Sequence, residues 1–152
     1  LYGEDNYLIP NGPLPRNDYE VGESGAKLQD AVEFLEDSAA QAVIVMVDCG
    51  RKYDSPMETK GLEPGFADYT SDANVVIAYA DKPGTTRPDT YGPSVFADAF
   101  ARRVRSPDRI DINKVMLQVS GDVIAETANQ QQPWFQSSVR LPIFFRADVE
   151  DS

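Results

Sequence analysis

Two uninterrupted apolar runs, at residues 42–47 and 75–79, constrain the fold of this 152-residue chain more than any other feature. Runs this short that are apolar at every position are typical of strands covered on both faces, as in parallel sheets. Amphipathic helices are predicted around them, at 24–37 with Ser24 as N-cap, at 94–104, and at 111–128 with Asp111 as N-cap. Strands that alternate with helices predict one α/β domain over residues 1–152, with a mostly parallel sheet.

The remaining segments predict weaker elements. Residues 1–24 are rich in Gly, Pro, Asn and Asp, which favours a short strand stub at 7–10 followed by a surface loop. The stretch 129–138 is predicted as a loop, and 139–145 as a last strand that Pro142 places at a sheet edge. Three strands and a stub make a thin sheet, so we expect further strands of the domain to be missing before Leu1.

Composition narrows the classes of partner. The formal net charge is −11, which argues against nucleic acid or an anionic membrane surface and is compatible with a protein or a basic peptide. No apolar stretch approaches the roughly 20 residues of a membrane span. Neither a Cys/His metal spacing nor a Gly-rich phosphate loop occurs, so we predict no metal site and no cofactor. The cellular compartment stays open, since a single cysteine cannot form an intrachain disulfide.

The first apolar run ends in Asp48-Cys49-Gly50-Arg51, at the strand terminus where open α/β sheets keep their active sites. Cys49 is the only cysteine, and the 152 residues contain no histidine. A thiol nucleophile normally needs a partner base to become thiolate near neutral pH. Two interpretations of Cys49 therefore stand: a nucleophile at the crevice, or a small buried apolar side chain.

Two acidic side chains follow the apolar runs. Asp48 closes the first strand, and Asp81 lies just past the second. If the two strands are neighbours, both carboxylates face one cleft and form an acidic pocket for a lysine or arginine side chain. The alternative is that each aspartate only caps a loop or a helix.

Several segments, taken in order, resemble the caspase-like cysteine peptidases, particularly bacterial caspase homologues and metacaspases. They are Asn6-Tyr7-Leu8-Ile9-Pro10, Val47-Asp48-Cys49-Gly50-Arg51, Gly61-Leu62-Glu63-Pro64, Val76-Ile77-Ala78-Tyr79-Ala80 with Pro83-Gly84, Ser94-Val95-Phe96, and Gln132-Pro133-Trp134 with Ser137-Ser138. The resemblance implies a three-layer α/β/α domain with a mostly parallel sheet, of which this chain is the C-terminal two-thirds.

The resemblance also shows where this chain departs from the family pattern. The family nucleophile sits two residues after the aspartate, a position that holds Gly50 here, while Cys49 occupies the preceding place. Successive residues at a strand end point to opposite faces, so Cys49 is expected to aim away from the nucleophile position. The family histidine lies shortly before the Asn-Tyr-Leu-Ile-Pro segment, and this chain begins just after that point.

Three functions follow from these observations. The first is a catalytically inactive caspase-like domain, a pseudo-peptidase that acts as a binding, regulatory or assembly module and recognises a basic side chain with Asp48 and Asp81. The second is a cysteine endopeptidase that cleaves after Arg or Lys, with Cys49 as nucleophile and histidine from a missing segment or a partner chain. The third is a structural subunit of a larger assembly, in which a second chain completes the sheet along an open strand edge.

Overall fold

A computed structural model describes residues 5–9, 15–48, 69, 71, 73–82, 94–106 and 108–145. Its elements, in chain order, are β1 (Tyr7–Leu8), α1 (Asp18–Ser24), β2 (Ala26–Lys27), α2 (Leu28–Glu36), β3 (Val43–Val47), β4 (Val75–Tyr79), α3 (Val95–Arg105), α4 (Ile112–Glu126) and β5 (Trp134–Ser137). The α/β class predicted from the sequence is confirmed.

The main sheet has the strand order β3-β4-β5, with β4 in the centre. Strand β3 pairs with β4 in parallel, with Val43 opposite Val75 and Val47 opposite Tyr79. Strand β5 pairs with the other edge of β4 and runs antiparallel. The sheet is therefore mixed, with one parallel and one antiparallel pair, whereas β1 and β2 form a separate two-residue antiparallel ladder.

Helices cover both faces of this sheet because the side chains of β4 alternate between two cores. Val75, Ile77 and Tyr79 pack with Leu28 and Val32 of α2 on one face. On the other face, the buried residues come from β4, α3 and α4, and they are Val76, Ala78, Ala80, Phe96, Ala99, Ile112, Val115, Met116, Val119 and Val123. The three-layer arrangement follows directly from this alternation.

Helices α3 and α4 are joined by ion pairs as well as by apolar packing. Arg103 donates from Nε and Nη2 to the two carboxylate oxygens of Asp122, at 2.7 and 2.5 Å. That hydrogen-bonded guanidinium lowers the pKa of Asp122 below its ordinary value. Arg102 bridges Asp98 of its own helix and Glu126 of α4.

The N-terminal region differs from the prediction of a surface loop up to residue 24. Helix α1 forms there, and Asn17 caps it by accepting the N–H of Glu20 at 2.9 Å. Ser24, predicted as the N-cap of α2, is instead the last residue of α1. Helix α2 begins only at Leu28, after the β2 pairing, and its N-cap residue Lys27 provides no side-chain hydrogen bond.

The predicted inward stripe of α2 is also narrower than expected. Leu28 and Val32 are buried, but Ala31 and Leu35 of the same predicted stripe are exposed. The helix therefore contacts the sheet through a single row of side chains.

The last strand lies earlier than the sequence predicts. Trp134–Ser137, predicted as a loop, forms β5, while 139–145 makes only an isolated bridge between Phe144 and Asp111. The apolar residues Val139 and Ile143 are not ladder residues but pack against the core that α3 and α4 share. The absence of a ladder at 139–145 is consistent with Pro142, because proline has no N–H to donate to a neighbouring strand.

Asp111 generates a stability prediction, because one carboxylate serves two elements. Its Oδ1 accepts the N–H of Asn113 in the first turn of α4, at 2.9 Å, and its Oδ2 accepts the N–H of Ile143, at 3.0 Å. We expect Asp111→Ala to lower the free energy of unfolding by about 1–3 kcal/mol. Ser94→Ala, which removes only the cap of α3, is the matched control and should cost about 0.5–1 kcal/mol. Urea unfolding followed by circular dichroism measures both, and equal losses would contradict the double role of Asp111.

Candidate functional site

The candidate site lies at the carboxyl ends of β3 and β4. Asp48 directly follows Val47, the last residue of β3, and its side chain is exposed. Cys49 and Gly50 lie outside the described residues, so the predictions for the thiol stay predictions. Of the three predicted site residues, the structure therefore places Asp48 and Asp81.

The condition for a shared acidic site, that the two strands are neighbours, is met. The ladder between them continues past the strand ends, because the N–H of Ala80 donates to the carbonyl oxygen of Val47 at 3.0 Å. Asp48 and Asp81 therefore leave adjacent parallel strands at the same end of the sheet.

Asp81 is held in place by backbone groups. Its Oδ1 accepts the N–H of Lys82 at 2.9 Å and the N–H of Gln132 at 3.0 Å. Because Gln132 precedes β5, the carboxylate of Asp81 leans toward the β5 side of β4, while Asp48 lies on the β3 side.

Gln131 is the residue of this region that the sequence analysis did not identify. Its side chain is 2% exposed, and its Nε2 donates to the carbonyl oxygen of Ala80 at 2.7 Å. Together with Gln132, it ties the end of β4 to a segment 51 residues further along the chain. The only signal in the sequence was the position of Gln131 next to the Gln132-Pro133-Trp134 segment. Residue type alone does not show whether a glutamine side chain is buried or exposed.

Aromatic packing supports the same strand end from the α2 face. The rings of Tyr79 and Trp134 stack with their centroids 5.3 Å apart and an interplanar angle of 24°. Tyr79 is fully buried, so the stack seats the first residue of β5 against the last residue of β4. The carboxyl end of β4 is thus packed against the start of β5.

A second set of hydrogen bonds lies on the α2 face of the sheet, further from the carboxyl end of β4. The hydroxyl of Tyr69 donates to Glu36 Oε1 at 3.0 Å, and the backbone N–H of Tyr69 donates to Gln136 Oε1 at 2.8 Å. Burial, followed by the hydrogen bond to Glu36, raises the pKa of Tyr69 to about 12. The phenol therefore stays a protonated donor to α2 through the physiological range, while the backbone N–H of Tyr69 provides the bond to β5.

A cavity of about 350 Å³ opens beside Tyr69, with Val75 and Ile77 in its lining; its other lining residues are Ser71, Gln136, Ser137 and Ser138. Val75 is the first residue of β4, so the cavity lies toward the amino end of that strand, away from Asp48 and Asp81.

Within the described residues no three Cys, Asp or Glu side chains are grouped as a metal site. None of the described helices is long and apolar enough to cross a bilayer.

Comparison with known proteins yields one family. The family model of the caspase domain matches residues 1–144 of the 152, which is nearly the whole chain. None of the curated proteins matches the sequence. The match agrees with the layered α/β architecture.

Gln131 generates the prediction for this region. Gln131→Met keeps the length of the side chain but removes the donor to the buried carbonyl of Ala80. We expect a loss of about 1–3 kcal/mol in the free energy of unfolding, since a buried acceptor loses its partner. Gln130→Met, at an exposed neighbouring position, is the matched control and should change stability little. Urea unfolding measures both, and similar losses in the two variants would show that the Gln131 amide does not anchor the strand end.

Proposed function

Because the chain belongs to the caspase domain family, we propose that it is a catalytically inactive member that binds a basic side chain of a protein or peptide. The observation that carries this proposal is the sequence at the end of β3. Asp48 directly follows the strand, and the position two residues later, where the caspase-like pattern has its nucleophile, holds Gly50. A glycine provides no nucleophilic side chain.

The chemistry of the neighbouring residues supports the absence of catalysis. Cys49 lies one place before the nucleophile position, and backbone alternation at a strand end directs adjacent side chains to opposite faces. None of the 152 residues is a histidine, so an imidazole base for Cys49 would have to come from outside them. Without such a base, only a small fraction of an ordinary thiol is thiolate at neutral pH.

The binding part of the proposal rests on Asp48 and Asp81. Asp48 is exposed directly after β3, and the hydrogen-bonded carboxylate of Asp81 lies one residue past Ala80, beyond the end of the neighbouring strand β4. A guanidinium or ammonium group that bridges them gains charge-assisted hydrogen bonds. A carboxylate has two oxygens and about four acceptor positions, so Asp81 retains acceptor capacity beyond its two backbone bonds. The net charge of −11 also steers cationic ligands toward the chain.

The working endopeptidase is the second candidate, and the exposure of Asp48 beside the only thiol favours it. A peptidase that cleaves after Arg or Lys needs an acidic subsite next to its nucleophile, and Asp48 is covalently adjacent to Cys49. The two candidates share the ligand chemistry and differ in whether bond cleavage follows. The structural-subunit function requires neither binding at Asp48 nor cleavage.

Catalytic inactivity is tested by peptidase assays on peptides with Arg or Lys before the reporter group. We expect the wild-type protein to release no more reporter than the Cys49→Ala variant, because the nucleophile position is Gly50. Activity in the wild type that Cys49→Ala abolishes would overturn the pseudo-peptidase proposal and establish the endopeptidase.

Recognition of a basic side chain is tested by the fluorescence anisotropy of a labelled arginine peptide. We expect Asp48→Asn to weaken binding by about tenfold or more, as for the loss of a charge-assisted hydrogen bond. Asp37→Asn makes the same charge change at an exposed position after α2 and serves as the control. Equal affinities of wild type and Asp48→Asn would remove Asp48 from the site. Equal weakening by both variants would reduce the effect to net charge, and absence of binding by the wild type would favour a purely structural subunit.

A further inference from the structure

The cavity beside Tyr69 lies apart from the acidic strand ends. Its volume of about 350 Å³ is within the size range of small-molecule sites in proteins. It adjoins Val75 at the start of β4, whereas Asp81 follows the other end of this five-residue strand. At a rise of about 3.3 Å per residue, the strand separates the two places by roughly 13 Å. A ligand in this cavity is therefore distinct from the basic group proposed for Asp48 and Asp81.

The register of the sheet gives the cavity an apolar side and a polar side. Gln136 of β5 is directly opposite Ile77 of β4, so the two side chains lie on the same face of the sheet. Val75 lies two residues before Ile77 and shares that face. The cavity thus has apolar side chains along β4 and an amide side chain across from them on β5.

The amide of Gln136 has hydrogen-bonding capacity to spare. Its Oε1 accepts the backbone N–H of Tyr69 at 2.8 Å. Because a backbone N–H can only donate, this contact fixes which end of the amide carries the oxygen. Nε2 is at the other end with two N–H donors, and no group among the described residues accepts from them.

Ser71 provides a further donor. Its Oγ accepts the N–H of Ala73 at 3.0 Å, which leaves the hydroxyl proton for another acceptor. Ser138 differs, because its Oγ accepts the N–H of Val75 at 3.1 Å and donates to the carbonyl oxygen of Ala73. The spare polar groups of the described lining are therefore mainly donors, and they require a ligand with acceptor oxygens.

Charge excludes two classes of ligand. The described lining residues carry no formal charge, and Tyr69 stays neutral because its pKa is raised to about 12. An anion would gain no cationic partner among them, and it would approach a chain of net charge −11 near the Glu36 carboxylate that accepts from Tyr69. A cation would lose hydration without a carboxylate of the described lining to pair with.

We propose that this cavity binds an uncharged peptide group that carries an apolar side chain. One carbonyl oxygen accepts from Nε2 of Gln136, a second accepts from the hydroxyl of Ser71, and the apolar group packs against Val75 and Ile77. A sugar or another polyol fits less well, because it brings a donor with every acceptor to a lining that already has donors in excess. The proposal is independent of whether Asp48 and Asp81 bind a basic side chain.

The experiment is an NMR titration of the isotope-labelled, folded chain at slightly acidic pH with three leucine derivatives. N-acetyl-leucine methylamide is uncharged, N-acetyl-leucine is an anion and leucine methylamide is a cation, while all three carry the same apolar side chain. We expect the uncharged probe to shift the side-chain NH₂ signals of Gln136, with a dissociation constant in the millimolar range for so small a ligand. The two charged probes should bind about tenfold more weakly.

Gln136→Glu separates the donor from the support of the fold. The new carboxylate still accepts the N–H of Tyr69, but an oxygen replaces Nε2, so the affinity for the uncharged probe should fall by about tenfold or more. Gln130→Glu adds the same charge at an exposed position after α4 and should bind like the wild type. Circular dichroism checks the fold of each variant. Ser71→Ala removes only the second donor, should weaken binding severalfold, and tests the site even if Gln136→Glu does not fold.

Three results would each overturn the proposal. The first is a wild type whose Gln136 NH₂ signals do not move with the uncharged probe at millimolar concentration. The second is a charged probe that binds as tightly as the uncharged one. The third is an affinity for the uncharged probe that neither Gln136→Glu nor Ser71→Ala lowers.

Discussion

The hydrogen-bonded burial of β4 is the constraint on which the rest of this structure depends. All five residues of Val75–Tyr79 are buried, and the strand bonds to β3 on one edge and to β5 on the other. Backbone amides in such a place must be paired within the protein, which requires both neighbouring strands. Since its side chains alternate, the same strand also supplies both cores, one beneath α2 and one beneath α3 and α4.

The candidate site inherits its geometry from the end of this strand. Ala80 bonds back to Val47 of β3 and accepts from Gln131, while Asp81 accepts from Gln132. The acidic positions are thus set by contacts between segments far apart in the sequence. Asp48 differs because it is exposed directly after β3.

Local patterns predicted the strong elements well. The apolar runs at 42–47 and 75–79 became β3 and β4, and Asp111 caps α4 as expected, with Ile112, Val115, Val119 and Val123 buried. Helix α1 was missed because seven residues that include a glycine carry little helical periodicity. Strand β5 was missed because Gln136 and Ser137 give it no apolar alternation, and its stability comes from pairing with β4.

The sequence by itself determined the α/β class, the caspase-like resemblance and the residues at the end of β3, because continuous apolar runs and the order of short motifs are written in local residue patterns. Only the tertiary structure decided that the strand after α4 lies at 134–137 and runs antiparallel to β4, and that the buried side chain of Gln131 donates to the carbonyl oxygen of Ala80. The tertiary structure was also needed to show that the apolar side chain of Leu117 in α4 is exposed. The physical reason is that ladder partners, burial and surface exposure depend on contacts between residues that are tens of positions apart.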